Sequence, residues 1–408
     1  LQNGAYKNAK AALGMEPAKI IEVVKNSGLR GRGGAGFPTG MKWGFVPKNT
    51  GKPIYLLNNA DESEPGTFKD RLLLERDPHL VIEGMIIACL ALDATWSAVY
   101  IRGEYTYPAH QMKRALEQAY EKGFLGKNIF GSNRSLDIVL HRGAGAYICG
   151  EETALIESLE GKAGRPRIKP PFPAVSGLYN CPTVVNNTET LAALPWIIEN
   201  GADAYKSYGT EKSPGTKLFS VSGHVVKPGV YEVELGSSLE DLIFKTCGGI
   251  SGGKKLKAVI VGGSSVPVLR ADEIAGVNLD YESLAAAGTM LGSGGCIVMD
   301  ETVDMVDATL NLQHFYKHES CGQCTPCREG SGWIVHLVHK IHSGHGTASD
   351  LLTIKDVSNR INGHTICPFG AAMVTPVLSA MQKFKEEFIS RLSVTHYGKS
   401  EEAKKGDK

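Results

Sequence analysis

The chain is 408 residues long, with 42% hydrophobic and 21% charged residues, so it can bury a sizeable core and is long enough for two or three domains. Its 44 Lys and Arg balance 43 Asp and Glu, and a net charge of +1 excludes the basic excess that nucleic-acid or anionic-lipid binding would need. The longest apolar stretch, around 85–92, is far shorter than the roughly 20 residues of a membrane-spanning helix. We therefore expect a globular protein with no nucleic-acid partner and no direct membrane insertion.

The first half of the chain alternates helical and strand patterns, which is typical of α/β layering. The predicted elements, in order, are helix 17–26, strand 53–58, helix 80–92, strand 98–103, helix 108–122, strand 136–140, helix 151–160 and helix 189–200. The segment 165–173 is too rich in proline to be anything but an irregular loop. We expect residues 1–210 to form one α/β domain.

The second half contains two further patterns. Short strands are predicted at 218–222, 229–233 and 258–261, with one helix at 239–246, so residues 211–300 are expected to form a small β-rich domain. Beyond Thr302, helical patterns at 303–318, 330–343 and 374–392 predict a helix bundle over residues 301–395. The charged tail at 396–408 is predicted to be disordered.

The strongest single motif is a cysteine triplet. Cys321, Cys324 and Cys327 are separated by two-residue gaps, which let three thiolates converge on one centre, and Cys367, followed by Pro368, can supply a fourth ligand. This pattern favours a 4Fe-4S cluster and a reducing compartment. A four-cysteine zinc site and unligated core cysteines are the alternatives. The remaining cysteines are interpreted as packing residues: Cys89, Cys149, Cys181, Cys247 and Cys296.

A glycine-rich segment at 31–36 satisfies the Gly-x-Gly-x-x-Gly template, in which backbone amides can approach a phosphate where a Cβ would clash. Its context departs from the usual dinucleotide fingerprint, because a helical pattern precedes it and Phe37-Pro38-Thr39-Gly40 follows in place of a clear helix. An ordinary glycine-rich turn is the alternative interpretation.

Three further polar segments lie next to predicted strands or helices. Residues 58–70 end a strand with amides and carboxylates, which can accept hydrogen bonds from ribose hydroxyls, a carboxamide or a flavin ring N–H, although a plain polar loop is also possible. Glu151 and Glu152 lie in the first turn of a helix, where capping alone would explain them. Asn186 and Asn187 precede a helix and are ambiguous between an N-cap and a ligand contact.

Taken together, segments 28–40, 59–70, 143–153 and 319–328 resemble, in this order, the NADH-binding flavoprotein subunit of respiratory complex I. The resemblance spans essentially the whole chain. It implies an α/β fold with an N-terminal Rossmann-like FMN- and NADH-binding domain, a central β-grasp domain of the ubiquitin-like SLBB type, and a C-terminal helical bundle that carries a 4Fe-4S cluster.

The resemblance also implies roles for individual residues. A non-covalent FMN would be surrounded by Gly31, Arg32, Gly33, Lys42, Asn59, Asp61, Tyr147, Gly150, Glu151, Asn186 and Asn187. Phe37, Phe45 and Phe172 would stack on the adenine of NADH. Glu64 and Glu152 would be the catalytic pair that holds the nicotinamide end of NADH over the flavin. Cys321, Cys324, Cys327 and Cys367 would carry the cluster.

The implied activity is that of the electron-input subunit of a translocase-type NADH:quinone oxidoreductase. A hydride would pass from NADH to FMN, and single electrons would continue to the cluster, to partner-subunit clusters and finally to quinone. The expected partners are a thioredoxin-like 2Fe-2S subunit and the large iron-sulfur subunit of complex I. They would hold the chain at the cytoplasmic or mitochondrial matrix side of the membrane, as a peripheral subunit.

Two other functions remain open. The same core, by resemblance, serves as the diaphorase subunit of NAD-linked hydrogenases and formate dehydrogenases. The absence of a second cysteine set after Cys367 favours complex I over these. From another functional class, a non-redox binding protein with zinc or a structural cluster would have no flavin absorbance.

Overall fold

The computed structural model describes residues 5–393, so the predicted tail at 396–408 lies outside the described residues. The chain divides after Thr302 into two compact units. The domain limits that the sequence suggests remain predictions.

The first unit holds both sheets. Its helices are α1 (Lys7–Leu13), α2 (Pro17–Asn26), α3 (Thr39–Gly44), α4 (Lys69–Arg76), α5 (Pro78–Leu92), α6 (Thr106–Glu121), α7 (Glu152–Leu159), α8 (Thr188–Ala192), α9 (Leu194–Asn200), α10 (Ala202–Lys206) and α11 (Tyr281–Ala286). Its strands are β1 (Tyr55–Ala60), β2 (Trp96–Ile101), β3 (Asp137–Arg142), β4 (Thr183–Asn187), β5 (Thr216–Gly223), β6 (Gly229–Glu234), β7 (Leu256–Ile260), β8 (Leu269–Arg270) and β9 (Gly295–Asp300).

The first sheet is parallel, with strand order β3-β2-β1-β4. Strands β1, β2 and β4 are mostly buried, and in β2 every residue after Trp96 is buried, whereas the edge strand β3 is partly exposed. The order reverses between β1 and β4, which is the switch point at which doubly wound sheets bind ligands outside the carboxyl ends of their strands. The predicted Rossmann-like layering is therefore confirmed.

Helix α5 forms the centre of the first core. Pro78 occupies its first turn, the Asp77 side chain accepts a hydrogen bond from Leu80 N at 3.1 Å, and Asp93 ends the helix in a left-handed conformation. Every residue from Val81 to Leu92 is buried, because α1, α2, α8, α9 and the sheet surround it. At Gly84 the approach is closest: a Cβ there would lie 2.0 Å from the carbonyl oxygen of Leu191.

We expect Gly84→Ala to lower the free energy of unfolding by about 3 kcal/mol, because α5 and α8 must separate to admit the methyl group. Urea denaturation followed by circular dichroism measures the change. Gly44→Ala is the matched control, since a Cβ at Gly44 meets nothing within 4 Å, and its effect should stay within about 1 kcal/mol. An unchanged midpoint for Gly84→Ala would contradict this packing.

The second sheet has strand order β6-β5-β9-β7-β8. Strands β5 and β6 form an antiparallel hairpin, β5 and β9 are parallel neighbours at the centre, and β7 pairs antiparallel with both β9 and β8. A π-helical segment, Asp241–Thr246, follows β6 and precedes β7 in the chain, at the position where the sequence predicts a helix. The first strand of this sheet, β5, therefore lies beside its last strand, β9, and a helical segment lies in the connection between them. This is the β-grasp arrangement that the resemblance implies.

The second unit is helical, as predicted. It contains α12 (Met305–Glu319), α13 (Thr325–His342), α14 (Ala348–Ile361), α15 (Phe369–Lys383) and α16 (Lys385–Ser390). Helix α13 packs against α12 and α14, and Gln313 Nε2 donates to the Met373 carbonyl at 3.0 Å, which joins α12 to α15. Among the described residues, no helix combines the length and apolar character that crossing a bilayer would require.

Nine of these helices and strands are absent from the sequence predictions: α1, α3, α4, α10, α11, α14, β4, β8 and β9. The segment around Asn186 and Asn187, interpreted as a turn, is the end of β4 and the start of α8. Helix α14 begins with a capping box, in which Asp350 N donates to Thr347 Oγ1 and Thr347 N donates to Asp350 Oδ2. That Thr-x-x-Asp spacing is a local signal which could have identified the helix.

Candidate functional site

The ends of two neighbouring strands define a crevice in the first unit. Asn59 near the end of β1 is in register with Asn187 at the end of β4, and Asn58 is in register with Asn186. Asp61 follows β1 directly and is buried. The structure therefore brings these predicted site residues to one edge of the parallel sheet, at its switch point.

The glycine-rich segment lies over the end of β4. It is closed by hydrogen bonds from Gly31 N to the Phe37 carbonyl at 2.9 Å and from Thr39 N to the Leu29 carbonyl at 2.8 Å. A Cβ at Gly33 would lie 2.9 Å from Asn187 Cβ, so only glycine allows this approach. Within the described part of the chain, the N–H groups of Gly33 to Gly36 have no hydrogen-bond partner, and such amides can receive a phosphate.

Helix α3 begins only three residues after the glycine segment, whereas the sequence indicates no clear helix there. It is short, and Pro38 lies immediately before it, so its helical period is too brief to see in the sequence. Helix α3 is important because it presents Lys42 to the crevice.

Arg32 contributes its main chain to the loop while its side chain turns away. Its guanidinium is buried, and Nη2 donates to Tyr205 OH at 2.8 Å and to the Pro214 carbonyl at 2.9 Å. Burial opposes its charge, but the tyrosines and Glu189 around it raise its pKa. The Arg32 side chain is therefore engaged by Tyr205 and Pro214 and does not extend into the glycine loop.

Lys42, Glu152 and Lys169 form a charged cluster at the start of α7. Lys42 Nζ donates to Glu152 Oε2 at 3.0 Å and to the Val185 carbonyl at 2.9 Å. Lys169 Nζ lies 3.3 Å from Glu152 Oε1. Burial raises the pKa of Glu152, but the two ammonium groups outweigh it and hold the pKa below its usual value. Glu152 is therefore an ionised acceptor at neutral pH.

The neighbouring Glu151 has a different role. Its Oε2 accepts from Thr153 N at 2.8 Å and Ala154 N at 3.0 Å, so it caps α7, while its Oε1 accepts from Lys169 at 3.0 Å. Capping thus explains one of the two predicted glutamates and not the other.

The end of β1 contacts the turn before α7. Asn59 Nδ2 donates to the Gly150 carbonyl at 2.8 Å, and a Cβ at Gly150 would lie 3.2 Å from Asp61 Oδ2. On the other strand, Asn187 Oδ1 caps α8 by accepting from Glu189 N at 3.0 Å, and Asn186 Oδ1 accepts from Trp43 Nε1 at 2.9 Å. These amides hold the crevice walls together.

Glu64 joins the first sheet to the β-grasp part of the same unit. Its Oε2 accepts from Tyr147 OH at 2.6 Å, and its Oε1 accepts from Ser265 N at 2.7 Å and Ser264 Oγ at 3.1 Å. Burial raises the pKa of Glu64, and the hydrogen bonds from Tyr147 and the serines oppose this rise. Tyr147 and Glu64 thus lie together, as predicted for two residues of one site.

The predicted adenine-stacking residues are exposed. The rings of Phe37 and Phe45 are 6.0 Å apart at 49°, and they are 48% and 57% exposed. Phe172 is 58% exposed, in the same proline-rich loop as Lys169. Large exposed aromatic side chains at a polar crevice are suited to stacking on a planar ligand.

Sequence reasoning missed three residues that face this region: Lys169, Lys217 and Ser265. The sequence indicates a role for Lys169 only weakly, because it is a cation in the proline-rich loop at 165–173, where prolines restrict the backbone. The signal for Lys217 is clearer, since it alternates with the apolar Phe219 and Val221 on the inward face of β5. Ser265 acts through its backbone N–H, which residue type does not reveal.

The second unit carries the four predicted cluster cysteines. Cys324 lies at the N-cap position of α13 and Cys327 in its first turn, while Cys367 lies two residues before α15. Ile366 N donates to Cys324 Sγ at 3.3 Å, which brings the Cys367 segment to the triplet. Burial raises the pKa of Cys327, its hydrogen bond with Ser320 opposes this, and the nearby Cys321 and Cys324 add to the rise. Cys324 and Cys327 lie at the N-terminus of α13, where the helix dipole favours thiolate charge and opposes this rise in pKa.

These donors fit the groups that the resemblance implies. Unpaired loop amides, the Lys42 ammonium and the Asn59 and Asp61 side chains suit the phosphate and polar ring of FMN. No three His, Cys, Asp or Glu side chains within residues 5–393 converge closely enough for a single metal ion. Four cysteine thiolates are the ligand set of a 4Fe-4S cluster, and the hydrogen bond from Ile366 N to Cys324 Sγ holds the Cys367 segment beside the triplet.

Comparisons with known proteins agree with this geometry. Family models match the chain as the Nuo51 FMN-binding domain at residues 24–196, an SLBB domain at 217–295 and the NADH-ubiquinone oxidoreductase-F iron-sulfur binding region at 285–391. An F-type NADH-quinone oxidoreductase subunit of Rhizobium meliloti is 50% identical over 390 residues, covering 95% of this chain and 92% of that protein. The F-type subunit of Streptomyces coelicolor is 51% identical, covering 94% of this chain and 85% of that protein.

A solved structure is also similar. A chain of an NAD+-reducing [NiFe]-hydrogenase in the H2-reduced state superposes with a TM-score of 0.89 at 39% identity over 96% of this chain, which spans only 65% of that chain. The full-length identity and the matched FMN and iron-sulfur regions establish that the chain belongs to the F-type family of NADH-quinone oxidoreductase subunits.

Proposed function

We propose that this chain is the NADH-oxidising, FMN- and 4Fe-4S-carrying subunit of an NADH-quinone oxidoreductase. The observation that carries the proposal is the crevice at the carboxyl ends of β1 and β4, which is lined by loop amides and by ionised and hydrogen-bonded carboxylates. Donors for a phosphate beside acceptors for ribose and amide groups are what a flavin and a nicotinamide nucleotide together require.

Bound FMN would accept the hydride and would convert two-electron transfer into one-electron transfer. The chain itself would position the two nucleotides, and no side chain would have to donate a proton. The Gly33–Gly36 amides and Lys42 would hold FMN, with Asn59 and Asp61 toward its polar ring. Phe37, Phe45 and Phe172 would stack on adenine, and Glu64 and Glu152 would accept from the nicotinamide and ribose end of NADH.

The partners follow from the same proposal. Electrons would leave the cluster held by Cys321, Cys324, Cys327 and Cys367 for a thioredoxin-like 2Fe-2S subunit and the large iron-sulfur subunit, and finally reach quinone. The chain would then lie peripherally at the cytoplasmic or mitochondrial matrix side of the membrane, held there by these subunits.

Anaerobic stopped-flow absorbance with NADH tests the proposal on the chain co-expressed with its cluster-assembly machinery. The flavin band near roughly 450 nm should bleach first, followed by partial loss of the broad cluster absorption. Absence of a flavin band, or bound FMN that does not respond to NADH, would leave a binding protein as the better interpretation.

We expect Glu64→Gln to raise the KM for NADH about tenfold to about hundredfold, because a carboxylate acceptor is lost at the nucleotide end of the crevice. FMN content should not change. Steady-state kinetics with ferricyanide as acceptor measures the effect. The control is Glu117→Gln on the outer face of α6, where the carboxylate is exposed. A KM within about twofold of the wild-type value would remove Glu64 from the proposed site.

A second function has specific support from the hydrogenase chain, with its TM-score of 0.89. In that case the chain would be the diaphorase subunit of an NAD-linked hydrogenase. The native complex, purified through a tag on this chain, distinguishes the two: NADH-dependent quinone reduction supports the first function, and H2-dependent NAD+ reduction supports the second.

A further inference from the structure

A lysine from the β-grasp part of the first unit reaches beneath the glycine loop. Lys217 is fully buried at the start of β5, and its ammonium donates to the carbonyl oxygen of Arg32 at 2.7 Å and lies 3.3 Å from Glu189 Oε2. No role for Lys217 follows from the sequence motifs. Its contact with the backbone of a loop that would bind phosphate suggests one.

The contact fixes one peptide group of the loop. Arg32 N donates to Thr190 Oγ1 at 2.8 Å, so residue 32 is held at both its N–H and its carbonyl. In a trans peptide the carbonyl and the following N–H point in opposite directions. Because the Arg32 carbonyl points at Lys217, the Gly33 N–H points away from Lys217, out of the protein interior.

The Lys217 ammonium also makes the Gly33 N–H a stronger hydrogen-bond donor. A cation bound to a peptide carbonyl polarises the peptide group, and its N–H becomes a stronger hydrogen-bond donor. The groups that face Lys217 are Glu189 from α8, Lys69 and Asp70 from α4, and Arg32 itself. Lys69 Nζ lies 2.8 Å from both Asp70 Oδ1 and Glu189 Oε2. Glu62 is the third carboxylate of this cluster, since it accepts from Asp70 N at 2.7 Å and its charge also acts on Lys69. Three cations therefore face three carboxylates, and Lys217 is the cation among them whose ammonium contacts the Arg32 carbonyl. Burial raises the pKa of Glu62 to about 7, so Glu62 also titrates near neutrality.

We propose that Lys217 is a positioning residue for the FMN phosphate, which fixes the Arg32–Gly33 peptide and places a buried positive charge behind the amides that receive the phosphate. The proposal rests on the proposed function, since it requires FMN in the crevice. It assigns the β-grasp part of the first unit a direct share in flavin affinity.

Because this role depends on the charge of Lys217, it predicts that the affinity for FMN depends on pH. Burial lowers the pKa of Lys217 to about 7; Glu189 opposes this, and the cations Lys69 and Arg32 add to it. Loss of the proton above that pH removes the buried charge, so FMN affinity should fall as pH rises through and above neutrality. The FMN phosphate loses its last proton near roughly pH 6, and becomes more anionic in the process, so the ligand itself cannot cause the fall.

The test is a fluorescence titration of the full deflavinated chain with FMN at several pH values, from about half a unit below neutrality to about one and a half units above it. The variants are Lys217→Met, which removes the donor and charge, and Lys217→Gln, which keeps a neutral donor. Lys212→Met, at an exposed position shortly before β5, is the matched control. Thermal unfolding establishes that each variant is folded.

The wild type and the control should lose affinity with rising pH. Lys217→Met should bind FMN about tenfold to about hundredfold more weakly at the lowest pH, with a smaller pH dependence than the wild type because Glu62 still titrates, and Lys217→Gln should lie between. If the FMN affinity of the wild-type chain does not change with pH, the proposal is overturned whatever the variants show. Folded variants that keep wild-type affinity, or that bind weakly with the wild-type pH slope, also overturn it. A wild-type chain that binds no FMN at any pH would instead contradict the proposed function.

Discussion

Replacing Gly33 by Val is expected to weaken FMN binding at least about a hundredfold, since it would lose about two charge-assisted hydrogen bonds to phosphate, each worth about 1.5–3 kcal/mol. The reason is geometric. The Cβ would lie 2.9 Å from Asn187 Cβ, so the loop must move off the end of β4. Its amides would then no longer face the position that the phosphate requires. The flavin-to-protein absorbance ratio after gel filtration, and an FMN titration, measure the loss.

Gly14→Val is the control for a glycine-to-valine change in the same unit. Gly14 ends α1, and a Cβ there meets only the Ala11 carbonyl at 3.5 Å, an ordinary contact. Its FMN content should equal that of the wild type. If Gly33→Val also retained a full complement of FMN, the glycine segment would be an ordinary turn, and the flavin phosphate would have to lie elsewhere.

The second large effect is expected at the cysteines. Cys324→Ser should abolish cluster binding, with a loss of about four iron atoms per chain, because a serine hydroxyl is a much poorer iron ligand than a thiolate. Cys324 is also the thiol that accepts the hydrogen bond from Ile366 N, so its removal loosens the Cys367 segment. Iron analysis and the visible spectrum of the anaerobically reconstituted chain measure the outcome.

FMN should remain bound to Cys324→Ser and should still bleach with NADH, since the crevice lies in the other unit. Cys181→Ser is the matched control, a partly exposed cysteine outside the predicted ligand set, and it should keep its full iron content. A Cys324→Ser protein with wild-type iron content would show that the cluster has a different ligand set.

Several features follow from local sequence alone, and the structure agrees with them. The α/β alternation, the helix predicted at 80–92 and the two-residue cysteine gaps all depend on residues within a few positions of each other. Helix periodicity, capping and short-range ligand spacing act over the same distance, which is why these predictions need no tertiary information.

Only the tertiary structure determined which residues of the site contact one another. Glu151 and Glu152 are adjacent in sequence, yet one caps α7 and the other pairs with Lys42, more than a hundred residues away. The Arg32 side chain turns from the predicted site toward Tyr205, and Lys217 reaches the loop from another sheet. These pairings depend on strand order and on which loops the folded sheets bring together. Burial then makes each long-range charge contact strong enough to matter, a condition that local residue patterns do not encode.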